Sequence, residues 1–272
     1  MDKKRDVPLL PELAGEAAPG AYGFRTDQGR PADPSHSIFP IVKYVDGKMH
    51  LIGTGFFITT HGIFITAKHV LMDPFDRDGR EKYPIGVIQM ISGNIYYPRP
   101  ILRCAFHPVA DVTVGVAQMM HHNRTGQPLT NPVLSLDRGI TPVGTRIMTY
   151  AYPKHTNIIE SELQIVNVKP TYYDGYVQEY LPNGRDKTFL PGPCYQTNIH
   201  IHSGASGGPV CGPHGRVFGV NSTGINGTDI SYVSAVTPIL DLTIDDVSMD
   251  GLPARSVRVS EMVRAGHIIV KS

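Results

Sequence analysis

Short apolar runs rich in Val, Ile, Phe and Tyr recur along this chain, separated by Gly, Pro, Asn and Asp. Runs of that length and composition predict β-strands joined by tight turns. Residues 38–45 and 49–59 flank Asp46-Gly47, a dipeptide suited to a two-residue hairpin. A strand over 63–67 follows the turn His61-Gly62, and 85–91 and 95–97 flank Ser92-Gly93-Asn94. Segments 103–106 and 111–117 complete a six-stranded barrel within residues 36–120. Residues 121–132 read as a connection. Segments 145–152, 161–169, 172–179, 196–202, 210 with 217–221, and 230–236 then supply a second barrel over 133–245. The stretch 181–186 reads as an exposed turn and 237–240 as the start of a short helix. In the extension 246–272, residues 257–265 suit a helix and 267–271 a strand. Residues 1–35 lack periodicity and read as a tail, disordered or draped over the barrel. The expected fold class is all-β: two six-stranded barrels with a short C-terminal helix.

Composition agrees with many short strands and tight turns: 28 Gly and 23 Pro in 272 residues. Charge is nearly balanced, 25 basic against 24 acidic side chains, so no broad electrostatic footprint for nucleic acid is expected. No stretch approaches the roughly 18 apolar residues of a spanning helix, so no membrane segment is expected. The basic start Met1 to Arg5 is followed by Asp6, Pro8, Pro11 and Glu12, which interrupt a secretory apolar core. Three cysteines, at 104, 194 and 211, are an odd count for a disulfide framework. These features lead to an expectation of cytoplasmic location with reduced thiols.

Three segments carry chemistry. Gly204-Ala205-Ser206-Gly207-Gly208-Pro209 places a serine in a loop of small residues. There Gly204 can turn its own N–H and that of Ser206 toward one point. Thr66-Ala67-Lys68-His69 ends a β-branched strand on a histidine, and Asp111-Val112-Thr113-Val114 opens an apolar strand with an aspartate. A serine hydroxyl is a weak nucleophile without a base, and histidine has the proton affinity to act as one. A carboxylate fixes the imidazole tautomer and stabilises the imidazolium.

In their order and local contexts these segments resemble the chymotrypsin-like serine peptidases, specifically the bacterial trypsin-like branch without an activation peptide. The resemblance spans roughly residues 36–245 and turns the fold expectation into a chymotrypsin-like double six-stranded barrel. It implies a serine endopeptidase with His69, Asp111 and Ser206 as catalytic triad, and an oxyanion hole from the Gly204 and Ser206 N–H groups. It puts the base of the primary substrate pocket at His200, six positions before the serine. One wall would run along Asn221, Ser222, Thr223 and Gly224 and the other through Ser231, with Ser222 also donating to Asp111. The digestive relatives carry an aspartate where this chain has Ala205. Activation through a salt bridge to a newly cut N-terminus is therefore not expected.

Other candidates are weaker. His200 and His202 would share one face of a predicted strand, half of a metal site, but no third ligand stands at a recognisable spacing. No metal and no cofactor is expected. His121-His122 reads as a solvated loop pair, and Cys104 has only His107 near it in sequence, which is no nucleophile arrangement. The expected partner is a protein or peptide substrate, with room for a regulatory protein that gates activity. The competing reading is an inert barrel kept for binding.

Overall fold

The computed structural model describes residues 9–12, 23–26, 28, 30–74, 82–92, 95–122, 124–160, 163–225, 227–248 and 253–271. Strands β1 (Leu9–Glu12), β2 (Gly23–Thr26) and β3 (Pro31–Ala32) form a small antiparallel sheet within the N-terminal segment. The first barrel comprises β4 (Ile38–Val45), β5 (Lys48–Phe57), β6 (Ile63–Thr66), β7 (Ile85–Ser92), β8 (Ile95–Phe106) and β9 (Thr113–Ala117). It closes in the order β4-β5-β6-β9-β8-β7. Between β6 and β7 lies the one-turn helix α1 (Lys68–Met72). The β4–β5 turn is the expected one, with Asp46 at φ 50° and Gly47 at φ 73°.

Strand β10 (Leu136–Asp137) leads to the second barrel. Its members are β11 (Arg146–Glu160), β12 (Leu163–Leu181), β13 (Cys194–Thr197), β14 (Pro209–Cys211), β15 (Val217–Gly224) and β16 (Ser231–Ala235). All neighbours are antiparallel, and the β14–β15 and β14–β11 pairings close the ring. A 3-10 turn, Thr237–Asp241, precedes β17 (Thr243–Val247), β18 (Arg255–Arg258), helix α2 (Val259–Arg264) and β19 (Val270–Lys271). β19 runs parallel to β10, so the C-terminal segment returns to the edge of the second barrel. Among the described residues no helix is long and apolar enough to cross a membrane.

The strand pleat sorts the apolar residues into separate cores. Phe39, Ile41, Phe57, Phe64 and Val87 fill the first barrel. Their sequence neighbours Ile38, Phe56, Ile58 and Ile65 point the other way, into the seam with Met148, Tyr150 and Val220 of the second. Ile147, Val177, Phe218 and Val233 fill the second barrel. Strands buried on both faces read as continuous apolar runs, which is why they stand out in the sequence. Phe24 joins the seam edge-on to the Tyr150 ring, 5.9 Å away, and anchors β2 there.

Four strand boundaries differ from expectation, and three of the differences have a proline cause. The segments 95–97 and 103–106 are one strand, β8, that passes through Pro98 and Pro100. The Pro100 carbonyl accepts from the Gln118 N–H, on the side away from β7, so the missing N–H also faces away from the β7 ladder. Segments 161–169 and 172–179 are likewise one strand, β12, and β11 runs on from 152 to 160. Pro153 and Pro170 sit where the β11–β12 register shifts between Ala151 and Lys154, a bulge that needs no proline N–H. The expected strand 196–202 ends at Thr197. There Asn198 Oδ1 accepts from the Tyr176 N–H at 2.6 Å and takes over the ladder position. The expected hairpin turn at Gly93-Asn94 and the first two positions of the expected strand 161–169 lie outside the described residues.

Candidate active site

His69 lies in α1, just past the end of β6, and Asp111 lies in the turn before β9. Since β6 and β9 pair directly (Thr66 opposite Thr113), the ladder brings the two together. The Asp111 carboxylate is buried. It accepts from His69 Nδ1 at 2.9 Å and from the His69 backbone N–H at 3.0 Å. The Ser222 hydroxyl, on β15, donates to the same carboxylate. The turn that presents Asp111 is built on His107, whose Nδ1 accepts from the Ala110 N–H at 2.7 Å. Burial first, then the Lys68 charge, lowers the His107 pKa and so favours the neutral ring that can accept.

Ser206 comes from the other barrel, on the loop between β13 and β14. Its hydroxyl donates to the Ser222 carbonyl at 3.1 Å, on the same side of the cleft as Asp111. His69, Asp111 and Ser206 line one cavity of about 530 Å³. Gly204 has φ +92°, and a Cβ there would lie 2.7 Å from the Tyr152 carbonyl, so only glycine fits. The Ala205 carbonyl accepts from the Gly208 N–H and from Asn221 Nδ2. The Ser206 N–H, trans to that carbonyl across a planar peptide, points the opposite way. Among the described hydrogen bonds, neither the Gly204 nor the Ser206 N–H donates to a protein acceptor. Two backbone donors beside a hydroxyl can stabilise an oxyanion when both face it.

Thr54 of β5 joins the nucleophile loop to the first barrel. Its N–H donates to the Ser206 carbonyl at 2.8 Å and its hydroxyl to the Gly204 carbonyl at 2.9 Å. The same hydroxyl accepts from the Tyr152 N–H at 3.1 Å. Asn221, fully buried, also ties the loop to Thr149 at 2.7 Å. Thr54 was not singled out from sequence, and Asn221 was read only as part of the pocket wall. A signal for Thr54 was present in Gly53-Thr54-Gly55, since glycines on either side of a strand residue mark a close backbone approach. A Cβ at Gly53 would lie 3.0 Å from the Ser206 carbonyl. Ala205 is fully buried, and its N–H donates to the His202 carbonyl, so neutral contacts hold this loop.

The expected pocket residues divide. Ser222, Thr223 and Gly224 line the cavity, with Ile201, His202 and Ser203 opposite. His200 does not form its base: strand β13 has already ended, and the His200 ring is exposed and faces Asp229 at 3.3 Å. Ser231 is buried in the β16 ladder, its hydroxyl paired with Thr197 Oγ1 at 2.7 Å, outside the cavity lining. The cavity is instead bounded by Arg185, Phe189 and Leu190 from the loop between β12 and β13. That loop includes part of the turn read as simply exposed, because its polar residues gave no hint of the fold-back. The His200 and His202 rings do lie together, 4.5 Å apart. Among the described residues, however, no group of three or more His, Cys, Asp or Glu could hold a metal ion. Cys194 and Cys211 are buried, unbridged and in different apolar clusters.

Comparison with known proteins agrees with this architecture. A crystal structure of Deg5 superposes with a TM-score of 0.56 at 19% identity, covering 77% of this chain and 88% of that one. The active form of the Rv3671c protease from M. tuberculosis gives 0.52 at 17% identity, covering 75% and 78%. At these identities the likeness is one of fold. No curated protein matches the sequence. The family model of the trypsin-like peptidase domain matches residues 53–220, which include His69, Asp111 and Ser206, and on that match the chain belongs to the trypsin-like peptidase family.

Proposed function

We propose that this protein is a serine endopeptidase that cuts peptide bonds through an acyl-enzyme on Ser206. The observation that carries the reading is the His69–Asp111 pair, made through Nδ1, facing the same cavity as the Ser206 hydroxyl. With Nδ1 committed to Asp111, Nε2 is the ring nitrogen left to serve as base. A rotation of the Ser206 side chain moves its hydroxyl from the Ser222 carbonyl toward Nε2. As Oγ bonds to the scissile carbonyl carbon, its proton passes to His69. The oxyanion is received by the Gly204 and Ser206 N–H groups. His69 then gives the proton to the departing amine, and water repeats the sequence on the ester. Asp111 acts through His69, as a positioning residue.

The test is cleavage-site mapping on an unfolded protein mixture with wild type and Ser206→Ala, alongside labelling by a fluorophosphonate. Cuts and label that vanish together in the variant support the reading. A wild-type chain that takes no label and makes no cut would leave an inert barrel.

A further inference from the structure

We infer that Arg185 is the specificity-determining residue of this site, and that the peptidase proposed above cuts after acidic residues. The inference rests on that peptidase reading and adds to it the class of side chain accepted. Arg185 lines the same cavity as His69 and Ser206, on the side opened by the loop between β12 and β13. Its guanidinium lies 4.7 Å over the Tyr232 ring. Tyr232 pairs in register with Thr223, the middle residue of the 222–224 wall. The charge is therefore placed beside the 222–224 wall, in the cavity that the side chain preceding the cut bond would enter.

Besides the stacking on Tyr232, the hydrogen bonds of the guanidinium among the described residues go to one partner, Asp186. Its Nε donates to Asp186 Oδ2 at 2.7 Å, and Nη2 meets the same oxygen at 2.7 Å. Asp186 is itself fixed by the backbone N–H groups of Thr188 at 2.9 Å and Phe189 at 2.6 Å. A guanidinium has five N–H donors, and the Asp186 contact uses two. Those left, on Nη1 and Nη2, form the end-on fork that a second carboxylate accepts in bidentate fashion. The cavity holds one carboxylate among its lining residues, Asp111, and that group is already engaged by His69 and Ser222. A substrate Lys or Arg would bring a second cation against a guanidinium whose one acid, Asp186, is already committed to it and to two backbone N–H groups.

The experiment compares rates of covalent labelling by three peptidyl phosphonates that differ only in the first side chain: Glu, Gln and Lys. It uses wild type, Arg185→Gln, Arg185→Lys and Ser206→Ala. Wild type is expected to react with the Glu probe about 10- to 100-fold faster than with its Gln twin. Arg185→Gln is expected to bring that ratio near one, with Arg185→Lys between the two. Because the readout is a ratio within one variant, partial misfolding cancels. Wild-type labelling with a Glu:Gln ratio near one, or fastest with Lys, overturns the inference and leaves the peptidase reading standing. A ratio kept by Arg185→Gln likewise overturns the role of Arg185. No labelling by any probe overturns the peptidase reading itself, and this inference with it.

Discussion

Thr54 holds both sides of the nucleophile loop through one backbone and one side-chain donor, and it also satisfies the Tyr152 N–H. Its backbone carbonyl in turn accepts from Thr66 Oγ1 at 2.7 Å, three residues before His69. Valine has nearly the same shape but no hydroxyl. Thr54→Val leaves the Tyr152 N–H buried without a partner, at about 1–3 kcal/mol, and takes the donor from the part-buried Gly204 carbonyl. The variant is expected to shift the urea midpoint downward. It should also lower kcat more than it raises KM, because the loop that carries the proposed oxyanion donors loses its register. A variant with normal stability and kcat would show that the backbone bond to Ser206 suffices alone. Asn221 makes the matching contact from within the second barrel, where the sequence shows the end of a strand and a pocket wall but not the loop that the side chain holds.

At the scale of elements, the turn from 107 to 111 governs how Asp111 meets His69. His107 is an acceptor for the Ala110 N–H only while its Nδ1 is unprotonated. Because the folded protein holds the His107 pKa below its unfolded value, this group's contribution is present above about pH 6.5 and lost as pH falls below it. Denaturation midpoints measured between about pH 8 and pH 5 should therefore fall, and His107→Gln should flatten part of that fall. An identical slope in the variant would place the acid sensitivity elsewhere.

Elements also show where sequence reading stops. The β4–β5 hairpin was legible because Asp46-Gly47 fixes a turn type on its own. The length of β8, β11 and β12 was not, because Pro98, Pro100, Pro153 and Pro170 look like breaks until partner strands show which N–H groups are dispensable. That His69, Asp111 and Ser206 share one cleft was legible through local motifs on both sides of each residue. Arg185 was not, since a polar loop carries no periodicity and its reach into the cleft depends on the stacking partner Tyr232, 47 positions on.

Across the whole molecule, buried polar groups pin the inter-barrel connection. Arg99, 2% exposed, lies over the Phe57 ring and donates to the Gln118 carbonyl at 2.8 Å and to Asn131 Oδ1 at 2.9 Å. It also donates to Gln89 Oε1. All three acceptors are neutral, and burial lowers the guanidinium pKa to about 10. Asn131 in turn donates to the Thr60 carbonyl through both its backbone and its side chain. Arg99→Ala takes the donor from Gln89 Oε1 and one of two donors from Asn131 Oδ1 and opens a cavity, and is expected to destabilise by about 3–5 kcal/mol. Urea denaturation checks this. A loss below about 1 kcal/mol would show that water replaces the guanidinium without cost.

The Thr54 contacts have a consequence for assembly. His69 and Asp111 belong to one barrel and Ser206 to the other, so neither half contains the whole proposed site. Closing the seam is what brings the Ser206 hydroxyl and the His69 ring to a common cleft, and Thr54 ties that closure to the shape of the loop. Turnover by the proposed route would thus report docking between halves rather than folding of either, and a nascent chain with only its first barrel emerged would carry the His69–Asp111 pair without Ser206.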